Sequence, residues 1–176
     1  SLPSKMAHSQ IRQNYHTDVE AAVNKQINIE LYASYFYTAM WAHFDRDDVA
    51  LSNVANWCKK QSDEEREHAQ KLMKYQNLRG GRVVLQPVQN PDKNDWTSTL
   101  EAFKAALALE KFNHESLMKL HKLADSHNDM SLTDYLEEKF LEEQVESINE
   151  IGKMVTNLER LGSGMGEYVF DREHFH

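Results

Sequence analysis

The sequence predicts an all-α protein: a four-helix bundle with one long crossover and a short fifth helix at the C-terminus. Apolar residues recur at three- and four-residue steps through four segments of about 30 residues each. Only six Gly and three Pro occur in 176 residues, whereas an all-β chain needs many turns. Two of the three prolines, Pro87 and Pro91, fall in one connection, Gly80 to Trp96. At about 17 residues it spans roughly 55 Å when extended, enough to return along a helix of roughly 45 Å.

The first helix is expected over about His16 to Phe44, with Val23, Gln26, Glu30, Ala33, Tyr37, Met40 and Phe44 on one stripe. Asp45-Arg-Asp-Asp48 ends it and offers an N-cap for the second, about Val49 to Leu78, which Gly80-Gly81 stops. Its stripe is Leu51, Val54, Cys58, Gln61, Glu65, His68, Leu72 and Tyr75. The third, about Thr97 to His127, aligns Phe103, Leu107, Glu110, His114, Leu117, His121 and Ala124. The fourth, about Ser131 to Leu161, aligns Leu141, Gln144, Ile148, Ile151, Val155 and Leu158. Short links after the first and third make antiparallel hairpins, and the crossover makes the second and third parallel. In domain terms, residues 10–162 form the bundle, and residues 163–176 a hinge and short fifth helix. Residues 1–9 are an N-terminal extension, of which Ser1–Lys5, ahead of Met6, reads as well as a cloning remnant as it does as native chain.

A net charge of −8 excludes the basic footprint of a nucleic-acid binder and suits cation traffic. Cys58 is the only cysteine, so no internal disulfide forms, which is compatible with a reducing cytoplasm. No apolar run approaches the roughly 18 residues of a membrane span, and no signal peptide opens the chain.

The chemistry stands on the stripes. Glu65 and His68, at i and i+3, point the same way from one helix. With Glu30 and Glu110 they place three carboxylates and an imidazole on core-facing positions of three helices, and no Lys or Arg shares those stripes. Any one such residue is more often salt-bridged than metal-bound. Three carboxylates converging without a cation are costly, because like charges repel and burial removes their hydration. The set therefore points to metal, and oxygen-rich ligation with open positions suits redox iron. Glu65 is placed to bridge two ions about 3.5–4 Å apart. The fourth helix offers Gln144-x-x-Ser147 in place of a second Glu-x-x-His. An amide binds cations more weakly than a carboxylate, so the second position is expected to be looser and to suit turnover and transfer.

An ordered series of motifs then carries a resemblance: Arg12-Gln-Asn-Tyr-His16, Ile29-Glu-Leu-Tyr-Ala-Ser-Tyr35, Phe44-Asp-Arg-Asp-Asp-Val-Ala-Leu51, Glu64-Glu-Arg-Glu-His68, Arg79-Gly-Gly-Arg82, Leu109-Glu-Lys111, Leu120-His-Lys-Leu-Ala124 and Glu143-Gln-Val145. From about Gln10 to Phe170 the chain resembles an animal-type ferritin of the heavy, ferroxidase-bearing kind. The resemblance implies a ferritin-like bundle in a hollow shell of twenty-four subunits, alone or mixed with other ferritin chains. Such a shell oxidises Fe(II) with O2 at a di-iron centre and stores Fe(III) as a hydrated oxide. Carried over by residue, it implies that Glu30, Glu65 and His68 bind the first iron. Glu65 bridges to the second, which Glu110 also binds with Gln144 nearby. Tyr37 hydrogen-bonds within the site or, more plainly, fills the core. Glu64 and Glu67 match residues that pass iron to the inner surface, and in isolation would read as a solvated helix face. Asp134 and Glu137 match carboxylates of a threefold entry channel, with His121 close to its funnel. For Asp134 a charge favouring the helix N-terminus is the plainer role. Light-type subunits lose several of these ligands, and this chain keeps them all. A shell subunit that stores mineral with little oxidase activity is the alternative. A DNA-protecting mini-ferritin fits the acidic charge poorly, and a radical-generating reductase subunit would want a second histidine ligand.

Overall fold

The structure is a computed structural model, describing residues 9–175; the Ser1–Lys5 stretch lies outside the described residues. Helix α1 (Thr17–Phe44) is capped by His16, whose Nδ1 accepts from the Asp18 amide at 3.0 Å, and Asp18 and Glu20 sit in its first turn. Both features favour a helix start, by satisfying free N–H groups and opposing the dipole. Its predicted stripe is buried along its whole length, from Val23 to Phe44.

Helix α2 (Ser52–Leu78) begins later than the sequence implied, and the Asp45–Asp48 cluster does not cap it. Asp48 is turned away to Arg46, with Nε donating to Oδ1 at 2.8 Å. Ala50 takes a left-handed φ of 53°, which reorients the chain before the helix starts. At the far end the predicted stop holds, with Gly80 at φ 78°.

Helix α3 (Thr99–Ser126) starts after Ser98, whose Oγ accepts from the Glu101 amide at 3.1 Å. Between α2 and α3 the chain runs extended beside α1. Asn24 Nδ2 donates to Arg82 O at 3.0 Å, and one turn on Asn28 Nδ2 donates to Pro87 O at 3.1 Å. The amide side chains thus satisfy backbone carbonyls that have no strand partner.

The fourth helix, α4, runs Met130–Leu136, widens into a π turn over Glu137–Leu141, and continues as Glu142–Leu161. The π turn was not expected. It answers to the spacing of the buried residues Leu132, Leu136, Phe140 and Gln144, which lie four apart. Each four-residue step overshoots an α-helical turn by about 40°, and a wider turn absorbs the drift. Beyond it Ile151, Met154 and Leu158 are buried, while Leu141, Ile148 and Val155 of the predicted stripe are half-buried.

The short helix α5 (Met165–Glu173) follows a hinge in which Gly162 and Gly164 have φ of 78° and 65°. It carries two caps for other helices. Asp171 Oδ1 accepts from the Val54 amide at 2.8 Å, and Glu167 Oε1 accepts from the Thr99 amide at 2.9 Å. Both α2 and α3 therefore begin at α5, which makes them parallel as the crossover required. At the other end Arg79, just past α2, pairs with Asp129, just past α3, at 2.8 Å.

The core is in two apolar blocks. One, around Tyr37, Met40, Phe44, Trp57, Phe103 and Phe170, lies toward α5. The other, around Val23, Ile27, Leu72, Leu117, Leu136 and Phe140, lies toward Arg79. Each fully buried Phe or Leu contributes about 1.5–3 kcal/mol. Between the blocks lies a band of buried polar side chains.

Candidate metal centre

That band holds Gln26 and Glu30 from α1, Glu65 and His68 from α2, Glu110 and Asn113 from α3, and Gln144 from α4. Glu30, Glu65 and Glu110 are 0%, 3% and 1% exposed, far from the hydration a carboxylate needs. Ligand atoms of Glu30, Glu65 and His68 all lie within 4.8 Å of one another. His68 Nδ1 is 3.5 Å from Glu65 Oε2 and 3.9 Å from Glu30 Oε2. Its Nε2 lies 3.3 Å from Glu143 Oε1, a contact that favours the Nε2–H tautomer. The Nδ1 lone pair then faces the two carboxylates.

Glu30 is held from both sides. Gln26 Nε2 donates to Oε1 at 3.1 Å, and Asn113 Nδ2 donates to Oε2 at 3.0 Å. Gln26 also donates to Asn113 Oδ1 at 2.7 Å and accepts from Ser116 Oγ at 2.7 Å. Glu110 is held on the opposite flank. Tyr37 donates its phenol proton to Oε1 at 2.7 Å, and Gln144 Nε2 donates to both the Glu110 carbonyl and Oε2. Glu65 is the neighbour that raises Glu30, and Glu110 the neighbour that raises Glu65. Glu65 thus stands between the two flanks.

The electrostatics follow from burial. Desolvation pushes the Glu30 and Glu65 carboxyls well above the usual range, and the adjacent carboxylate adds to each shift. Burial, then the Glu110 charge, pushes the Tyr37 phenol up in the same way. Among the described residues His68 is the one basic side chain within 4.0 Å of Glu30 and Glu65, and no Lys or Arg pairs with them. Glu65 Oε2, fully buried, has no hydrogen-bond partner. A buried acceptor without a donor, beside two more carboxyls, is a cation's place.

Of the sequence-predicted residues, the structure brings Glu30, Tyr37, Glu65, His68, Glu110 and Gln144 into this one band. Glu64 is half-buried at its edge, 3.7 Å from Lys60, and Glu67 is exposed. Asp134 and Glu137 are exposed on α4, and His121 Nε2 lies 2.7 Å from Glu137 Oε1. Gln26, which holds Glu30, was read only as a stripe residue, and two more contributors escaped the sequence reading. Asn113 lies on the buried face of α3 in place of the half-buried His114, and Glu143 orients His68. For Asn113 a signal was present: an amide at i+3 from Glu110, the same spacing as Glu65 and His68.

Comparison with known proteins accords with this geometry. The Ferritin-like domain matches residues 20–161. The chain belongs to the ferritin family. It is 58% identical over 168 residues to the soma ferritin of Lymnaea stagnalis, covering 96% of this chain and 97% of that one. It is 60% identical over 167 residues to the ferritin middle subunit of Aquarana catesbeiana, covering 93% and 95%. As a ferritin chain it has the expected all-helical bundle and short C-terminal helix, and none of its described helices is long and apolar enough to cross a membrane.

Proposed function

We propose that this ferritin chain stores iron, and that it oxidises Fe(II) with O2 at a pair of iron positions in the polar band. The observation that carries the reading is the convergence of Glu30, Glu65 and His68, buried without Lys or Arg and with Glu65 Oε2 unpartnered. Iron is the substrate and cargo. The first Fe(II) is taken by Glu30, Glu65 and His68. The second is taken by Glu65 and Glu110, with Gln144 supplying an amide oxygen once its side chain turns. Each Fe(II) gives one electron, and the two together reduce one O2 to hydrogen peroxide, a reduction that takes up two protons. Cation entry displaces the protons that burial favours on Glu30 and Glu65, and the half-buried Glu64 and exposed Glu67 offer those protons and the departing Fe(III) a route to solvent. Tyr37 fixes Glu110 through its hydrogen bond and stands within reach as a one-electron donor.

Storage requires a shell, and family membership supports one of twenty-four subunits, homomeric or mixed. In it Asp134, Glu137 and the nearby His121 would line the threefold channel, where rings of carboxylates draw cations inward. The buried single Cys58 suits the cytoplasm, where thiols stay reduced.

The test is the growth of Fe(III) absorbance after mixing iron-free protein with two Fe(II) per chain in aerated buffer. His68→Ala is expected to slow the fast phase by tenfold or more, since loss of even an orienting partner typically costs about 10–100-fold. A slow rise, equal in both proteins, would leave a storage shell without an oxidase centre.

A further inference from the structure

A second group of metal-ligating side chains lies outside the bundle core. His16 and Asp18, at the start of α1, meet His127 at the C-terminal end of α3, with one ligand atom from each within 4.8 Å of the others. The imidazoles stack with centroids 3.7 Å apart and 20° between planes. His16 Nδ1 is 3.7 Å from Asp18 Oδ2. Ligand atoms in a tetrahedral site with bonds of about 2.1 Å stand roughly 3.4 Å apart, so the His16–Asp18 pair at 3.7 Å is already close to that spacing, and the His127 atom, within 4.8 Å of both, has a short way to move.

Two segments 111 positions apart in sequence do not hold such a spacing by chance contact of side chains alone. Here their backbones are tied. Arg79 Nη2 donates to Gln13 O at 3.3 Å and Asn14 O at 2.9 Å, while its Nη1 donates to Asp129 Oδ1 at 2.8 Å. Asn14 Nδ2 donates to Asn128 O at 3.1 Å. Asn14 and Asn128 both take left-handed backbone, φ 49° and 56°, so each chain turns sharply beside its histidine. One guanidinium and one amide therefore hold together the two backbones that carry the imidazoles, leaving only a ring rotation to be made on binding.

We propose that His16, Asp18 and His127 form a surface site for a borderline divalent cation of the zinc, cobalt or copper class. Two imidazoles and a carboxylate are the wrong donors for Ca(II) or Mg(II), which take oxygen, and the right ones for Zn(II) with water completing the shell. The stack aims the two ring lone pairs along nearly parallel planes, so His127, half-buried at a helix end, turns its ring to share the ion. The ion takes His16 Nδ1 and replaces the cap hydrogen bond from the Asp18 amide. Asp18 is exposed, so the site exchanges its ion with solvent without passage through the carboxylate band. This assignment is independent of the oxidase reading.

The test uses the whole iron-free protein, crystallised and soaked in zinc in excess of what the carboxylate band can take, with diffraction recorded at the zinc edge. An anomalous peak bonded to His16, Asp18 and His127 is expected, and it should vanish in His127→Gln. Calorimetric zinc titration should show one ion fewer per chain in His127→Gln and in His16→Asn alike. Asn keeps a capping oxygen, so His16→Asn removes the ligand and spares the helix start. No peak between these residues, or an unchanged stoichiometry in either variant, overturns the site.

Discussion

Asn113 shows what a single uncharged residue does in a charged site. It donates to Glu30 and accepts from Gln26, so the Glu30 carboxylate is already oriented toward Glu65 and His68 for any cation that enters. Removal of an orienting partner typically costs about 10–100-fold in metal affinity. Asn113→Ala should therefore weaken cation binding at that position about tenfold, read by calorimetry with zinc as a redox-silent substitute. Unchanged affinity would show that Glu30 is set by its backbone alone. The raised carboxyls make a second prediction. Glu30 and Glu65 bind protons more tightly in the folded chain than in the unfolded one. The folded state thus holds the extra protons, and iron-free stability falls as pH rises above the ordinary carboxylate range, about 4.3. Glu65→Gln should flatten that fall, and so should saturating zinc, which supplies the missing positive charge. Melting midpoints from pH 5 to 8 check this, and an equal slope in the variant would contradict it.

At the scale of elements, the π turn of α4 decides whether Gln144 reaches the site. A π turn is an α-helix with one residue to spare. Deleting the exposed Lys139 within it should restore α-helix with both flanks in phase, and lower the melting midpoint by only a few degrees. Deleting the exposed Glu146, in the regular stretch that follows, rotates everything beyond it by about 100°. Ile151, Met154 and Leu158 then leave the core, at a cost of about 2–5 kcal/mol for each large apolar side chain lost. Thermal melts of the two deletions separate these outcomes, and equal damage from both would refute the account of the π turn. The caps from α5 belong to the same scale. α2 has no side-chain cap of its own, and Asp171 supplies one from 117 residues away.

For the whole molecule, the crossover exposes apolar side chains that a lone chain gains nothing by showing. Val84 and Leu85 are 52% and 63% exposed on a segment whose backbone is pinned to α1 by Asn24 and Asn28. A rigid extended segment bearing exposed apolar groups suits burial between subunits. Leu85→Glu is expected to shift the protein from shell to smaller assemblies on size-exclusion chromatography, with helical content kept. A shell of undiminished size would place Leu85 outside any contact.

Sequence alone determined the class of the fold and named most of the polar side chains that meet in its core. Four helical periods, two glycines at a stop and one extended connection leave little choice of topology, because short links force antiparallel neighbours and only a long one permits a parallel pair. Glu30, Glu65, His68, Glu110 and Gln144 were legible because carboxylates, an imidazole and an amide stand on largely apolar stripes, although Gln26, Gln61, His114 and His121 share those stripes. Tertiary structure decided the rest. A stripe read at three- or four-residue steps could not choose between Asn113 and His114, since both follow Glu110 within one turn. Only the packing of α3 against α1, which sets Asn113 between Glu30 and Gln26, made the choice. The start of α2 was misread for a related reason. Asp45–Asp48 has the composition of a cap, yet Arg46 claims Asp48 and the cap comes from Asp171, a contact no local pattern encodes. The His16–His127 pairing is of the same kind. Local periodicity fixes which face of a helix is buried; which residues meet across faces depends on rotation and register, and these are set only when all the helices pack at once.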